Sequence, residues 1–148
     1  MATIAINKRA TFDYEILEKY EAGLMLIGAE VKSIKSGRIS LKESFVTIKG
    51  SELYLTNANI PKYAFAGNLP SYEPTRPRKL LVKKSESKSL IGKARTQGLT
   101  LIPLRVYTKK RLVKLEFALA RGKKAYDKRS DMAKKDAKRK IERALKKR

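Results

Sequence analysis

Gly122-Lys123-Lys124-Ala125-Tyr126-Asp127-Lys128-Arg129 sets a single aromatic ring among four lysines and arginines. Residues of these types at this spacing suit one kind of chemistry. The ring stacks on an exposed base while the flanking cations hold phosphates, which is how single-stranded or looped RNA is gripped. The bland alternative is a solvated charge run. Covalent chemistry has far less support. The chain contains neither histidine nor cysteine, which removes the commonest bases and nucleophiles and the usual zinc ligand sets. Its 14 carboxylates are dispersed, without the close spacing of a two-metal centre, and no GxxxxGK[ST] phosphate loop occurs. No catalysis, cofactor or metal is expected.

Charge points the same way. The formal net charge of +22 exceeds what solubility requires, so an acidic partner is expected to relieve the self-repulsion, nucleic acid first. Residues 1–120 hold 22 basic and 10 acidic groups, whereas residues 121–148 hold 14 and 4. The last fifth of the chain therefore carries nearly half the excess. At 148 residues one domain with a modest core is expected. Without cysteine there are no disulfides, so packing alone must hold it. The first residues lack the long apolar run of a signal peptide, and no stretch approaches transmembrane length. A cytoplasmic protein without a membrane partner is the expectation.

The body must position any specific contacts. Asn7-Lys8-Arg9-Ala10 precedes a loosely alternating stretch, residues 12–25, read as a long strand or hairpin with a bulge. Glu21 lies within it, either as a salt-bridge partner of a nearby lysine or as an acceptor for base or ribose donors. Residues 28–37 change period. Val31 and Ile34 share a helical face, Glu30 suits the first turn and Gly37 the position after the last, predicting about two helical turns with Lys32 and Lys35 pointing outward. Two runs, 44–49 and 52–56, flank Gly50-Ser51 as a hairpin. Residues 61–77, with four prolines and the scattered aromatics Tyr63, Phe65 and Tyr72, read as a long functional or mobile loop. Arg78 and Lys79 lead into Leu80-Leu81-Val82, read as a short buried run. Ser85 is placed to cap a helix reaching Gly98, with Leu90, Ile91 and Ala94 as its apolar face. Two strands, 99–107 and 112–120, close the body; Pro103 implies an edge or bulge, and Lys114 sits on the polar side of the second. Six strands with two or three helices predict a mainly β protein, a small antiparallel barrel resembling the oligonucleotide-binding (OB) fold, with an open α+β sheet as the competing architecture.

Residues 130–148 have high charge and few large apolar groups, yet no proline or glycine. Such a tail is expected to be disordered when free and helical on RNA. The expected division is a barrel over 1–121 and a basic tail over 122–148.

Several stretches together resemble one family: Asn7-Lys8-Arg9-Ala10, Tyr20-Glu21-Ala22-Gly23, Gly28-Ala29-Glu30-Val31-Lys32-Ser33, Arg78-Lys79-Leu80-Leu81 and the run 122–129. The family is small protein B, the SsrA-binding proteins. The resemblance implies a six-stranded OB-type barrel that binds the tRNA-like part of transfer-messenger RNA. It also implies delivery of that RNA to stalled bacterial ribosomes, with the tail in the empty messenger channel. On this reading Asn7, Lys8, Arg9, Glu21, Lys32, Arg78, Lys79, Leu81 and Lys114 serve the transfer-messenger RNA. Lys123, Lys124, Tyr126, Asp127, Lys128 and Arg129 meet the decoding centre in the 16S ribosomal RNA of the small subunit. Leu81 is assigned to the surface by the resemblance and to the core by composition. Tyr126 stands where histidine is common in the family, so stacking rather than proton transfer is implied. A monomer is expected. A ribosomal or general RNA-binding protein is the competing reading.

Overall fold

The computed structural model describes residues 2–67 and 69–123, and Arg139 beyond them. The elements run β1 (Ala2–Ile6), α1 (Ala10–Asp13), β2 (Tyr14–Leu24), α2 (Gly28–Lys35), β3 (Phe45–Lys49), β4 (Glu52–Thr56), β5 (Arg78–Leu81), α3 (Lys84–Gln97), β6 (Thr100–Lys109) and β7 (Leu112–Gly122). The strands form one sheet in the order β1-β6-β7-β2-β5-β4-β3, every ladder antiparallel. The sheet curls enough for β3 to pack near β6, while β1 and β3 remain its edges in the pairing order. The architecture is mainly β with three helices, as expected. The strands number seven rather than six. The additional one is β1, which has no hairpin partner next to it in the sequence and forms by adding to the distant β6, Ala2 pairing with Thr108.

Period-2 alternation fills the concave side. Val113, Leu115, Phe117 and Leu119 of β7 join Leu101 and Val106 of β6, Ala22 and Leu24 of β2, Leu53 and Leu55 of β4 and Leu80 of β5 in one core. Helices α2 and α3 contribute Ile34, Leu90, Ile91 and Ala94 to it. The outer side is divided. At one end Ala10 of α1 covers Ile102, Leu104, Ala118 and Ala120, a second small apolar cluster. The other end carries polar side chains.

Local features explain the boundaries. A bulge interrupts β2 between Ile16 and Glu18, and another interrupts β6 between Pro103 and Arg105. The second accommodates the proline inside the sheet. The carboxylate of Glu30 accepts the Ile27 amide at 3.0 Å, holding the first turn of α2. Helix α3 starts at Lys84 after Lys83, with no side-chain cap. Ser85 thus lies inside the first turn rather than capping it. At its other end α3 stops at Gly98 in the left-handed region, φ 61°. The β6–β7 turn places Lys110 and Arg111 at φ 51° and 68°, the left-handed pair that a two-residue hairpin requires.

Candidate nucleic-acid interface

The register assembles the polar end of the outer face from five strands. Leu81, Gly23, Lys114, Tyr107 and Thr3 stand side by side in one cross-strand row. Glu21, Glu116, Arg105 and Ile6 form a neighbouring row. Paired residues point to the same side of a sheet, so these side chains share one surface.

That surface is wired together. Tyr107 donates its hydroxyl to the Glu21 carboxylate, and Lys109 approaches the same carboxylate at 3.7 Å. Arg105 lies 4.4 Å from the centre of the Tyr107 ring, donates to Thr3 Oγ1 at 2.9 Å and meets Glu116 at 3.4 Å. These neighbours leave Tyr107 only 2% exposed although it sits on the outer side. The Tyr107 hydrogen bond foremost, opposed by some desolvation and helped by the charges of Lys109 and Lys114, holds the Glu21 carboxyl below its ordinary pKa. Glu21 is therefore an ionised, acceptor-only group beside cations, suited to donors on a base edge or a ribose 2′-hydroxyl. Replacing Tyr107 by phenylalanine removes the dominant lowering contact. NMR titration of the Glu21 carboxyl in Tyr107→Phe should show its midpoint moved to higher pH; an unmoved midpoint would mean that the lysines alone set it.

Leu81 is 49% exposed and lies over Gly23, where an added Cβ would come within 3.3 Å of the Leu81 Cβ. The missing side chain at 23 is what lets Leu81 fold across the row. Of the two sequence readings of Leu81, the surface one fits. Lys79 pairs with Glu52 at 2.8 Å.

The other expected contacts fall elsewhere. Asn7 is half-buried; its Nδ2 donates to the Pro103 carbonyl at 2.9 Å and its amide to the Leu104 carbonyl at 2.8 Å, stitching the end of β1 to the β6 bulge. Lys8 and Arg9 are exposed, and Arg9 lies 4.8 Å from the Phe12 ring centre and pairs with Asp13 at 3.2 Å. Lys32 is on α2, 5.8 Å from the ring centre of Tyr63. Tyr63 in turn makes an edge contact with Phe65, which is 85% exposed. Lys123 donates its amide to Asp13 at 2.9 Å and its Nζ to Thr11 at 2.8 Å. Lys124, Tyr126, Asp127, Lys128 and Arg129 lie outside the described residues, as do all but one residue of the expected tail helix.

Arg78 requires a correction. Expected at the RNA surface, it is fully buried. Its Nε donates to Glu30 at 2.8 Å and its Nη1 to the Ala58 carbonyl at 2.8 Å. Arg76 reaches Glu30 from the long loop, so one buried carboxylate gathers two guanidinium groups. The reading of Glu30 as a first-turn acid captured only its link to Ile27. Among residues the sequence reading passed over, Tyr107 had the clearest signal. A two-residue turn at Lys110-Arg111 dictates a register that sets Tyr107 opposite Lys114.

A curled antiparallel sheet with one outer end sealed by a helix and the other carrying an ionised acceptor among cations suits the binding of a structured polyanion. The chain belongs to the SmpB protein family, whose model matches residues 4–147. It is 55% identical over 142 residues to the SsrA-binding protein of Carboxydothermus hydrogenoformans, covering 96% of this chain and 95% of that one. It is 51% identical over 147 residues to the SsrA-binding protein of Thermosipho africanus, covering 99% and 98%. A chain in a solved structure described as "tmRNA-SmpB: a journey to the center of the bacterial ribosome" superimposes with a TM-score of 0.65 at 47% identity, over 81% of this chain and 84% of that one.

Proposed function

We propose that this protein binds the tRNA-like part of transfer-messenger RNA through the polar end of its outer face and delivers that RNA to stalled ribosomes. Its relatives at about half identity over nearly their full length are SsrA-binding proteins. The observation that carries the reading is the Glu21 carboxylate, kept ionised by Tyr107 between Lys109 and Lys114, with exposed Leu81 in the adjoining row. Cations supply affinity and the carboxylate supplies selectivity, since a phosphate alone is repelled by it. The protein acts as a non-catalytic factor in the bacterial cytoplasm.

Gly122 and Lys123 belong to the body, and residues 124–148 serve the ribosome: Lys124, Lys128 and Arg129 hold ribosomal phosphates and Tyr126 stacks on a ribosomal base. The body selects the RNA. Gel-shift titration against transfer-messenger RNA, with bulk tRNA as competitor, tests this. Glu21→Ala is expected to weaken binding about tenfold, the worth of one charge-assisted hydrogen bond. Asn7→Ala should also weaken it, by loosening the β1–β6 junction. Equal affinity for both RNAs would make the protein a general RNA binder instead.

A further inference from the structure

Beside Leu81 the sheet, the β3–β4 turn and α3 enclose a groove of about 700 Å³. Leu81, Val82 and Ile91 contribute apolar surface to it, Lys84, Lys88 and Arg95 line its α3 side, and Glu52, paired with Lys79, stands on its β4 side. Lys84, Lys88, Ile91 and Arg95 recur at intervals of four, three and four residues, which places them on one face of the helix. The helix is docked along that side by Ser87, whose hydroxyl donates to the Ser51 carbonyl at 2.9 Å.

These cations differ from their neighbours. Lys79 is engaged by Glu52, and Lys93, which does not line the groove, is engaged by Glu18. Lys84, Lys88 and Arg95 enter no ion pair among the described residues. Like charges at i and i+4, such as Lys84 and Lys88, repel and weaken a helix. Negative groups lying along the groove remove that penalty.

The geometry points to this groove as a second contact for the same transfer-messenger RNA: a stretch of its sugar–phosphate backbone leaves the outer face at Leu81 and continues between β5 and α3. Continuity selects the occupant. Leu81 and Lys79 line the groove and also stand in the outer-face strands beside Gly23 and Tyr54, so RNA seated over Glu21 and Lys114 reaches the groove without a gap. Sugars and bases meet the apolar floor, and phosphates meet the three unpaired cations. Four residues of helix rise by roughly 6 Å, so Lys84 and Lys88 can meet successive phosphates rather than share one. The assignment rests on the outer face being the transfer-messenger RNA surface, and it adds a path across the β5 side that Glu21, Asn7 and Leu81 do not define.

The test is the salt dependence of transfer-messenger RNA binding by the full chain. The triple variant Lys84→Gln, Lys88→Gln, Arg95→Gln should make the log–log salt slope shallower by about two, with affinity at physiological salt falling more than tenfold. A charge-matched control, Arg38→Gln, Lys42→Gln, Lys93→Gln, should keep nearly the wild-type slope. Melting curves check that the variants fold. Because the chain has no cysteine, Lys88→Cys supplies a sole thiol for a tethered hydroxyl-radical probe, which should cut transfer-messenger RNA in one localised patch. An unchanged slope in the groove variant, an equal change in the control, or no localised cutting overturns the proposal while the outer-face reading stands. Weakened ribosome association with an unchanged transfer-messenger RNA slope assigns the groove to the ribosome and overturns it too. Loss of RNA preference in the wild-type comparison sinks the functional reading itself.

Discussion

Replacing Glu30 by alanine is expected to destabilise the protein by about 3–5 kcal/mol, the penalty for leaving a buried charge without its partner. Glu30 and Arg78 are both fully buried. Their pairing is completed by the Ile27 amide, the Ala58 carbonyl and Arg76, and no buried side-chain polar atom among the described residues lacks a partner. Remove the carboxylate and the Arg78 guanidinium keeps its charge inside the protein while losing the group that neutralised it. For a domain of this size the melting temperature should fall by roughly 10 °C or more. The effect reaches the interface, because Arg78 opens the strand that carries Lys79 and Leu81. Arg76→Ala should cost far less: its side chain is one-third exposed, water screens what it contributes, and Arg78 remains to balance Glu30. Thermal unfolding followed by circular dichroism separates the cases. A Glu30→Ala protein that melts within a degree or two of wild type would show that the ion cluster is not what holds β5 to α2.

The same carboxylate gives the stability a pH dependence. Burial alone would raise the Glu30 pKa, but hydrogen bonds from Arg76, the Ile27 amide and Arg78, with the charge of Arg78, outweigh it and leave the pKa below the ordinary 4.5. With the folded value depressed, the stabilisation is complete above the ordinary glutamate range and is lost as pH falls through the folded value. Melting temperatures of wild type and Glu30→Gln should therefore stand apart at neutral pH and converge in acid, below about pH 4.

Ending the chain after Lys123 is expected to leave transfer-messenger RNA affinity within a small factor of wild type while abolishing peptide tagging on stalled ribosomes. The residues removed hold 12 lysines and arginines and four acids. If they meet ribosomal RNA as proposed, ribosome association should weaken on the order of a hundredfold or more, steeply dependent on salt. The cut must respect the fold. Truncation at Ala120, where the sequence pattern ends, would remove Arg121 and Gly122, which still pair with Glu15 and Tyr14, and Lys123, which is bonded to α1. Binding assays and in vitro tagging on the same preparation decide it. If truncation cost as much RNA affinity as Glu21→Ala, body and tail would not divide the work.

Much of this fold was legible because it is written locally. The Gly50-Ser51 hairpin, the end of α3 at Gly98 and the alternation of β7 each need only neighbouring residues. The error at Arg78 was avoidable by parity: on a strand Arg78 shares its side with Leu80, and Lys79 with Leu81, so burying Leu80 already sends Arg78 inward and Leu81 out. What no local pattern could supply is the partner, since Glu30 lies 48 residues earlier. The role of Tyr107 failed for a similar reason. Glu21 is 86 residues away along the chain, and only the β2–β7–β6 register brings them together. The cover over Ala118 and Ala120 comes from α1, a helix of four residues, too short to leave a periodic trace.

The double anchorage of Lys123 on the carbonyls of Thr11 and Asp13 fixes that residue against the body. Helix α1, seated on the outer face by Ala10, serves as the fairlead. Whatever the later residues engage, they start from a point held at a set distance from the surface that carries Glu21. If RNA seats on the polar end of the outer face as proposed, a partner that engages the chain beyond Lys123 meets the same rigid body, and part of the search for two simultaneous contacts is already done.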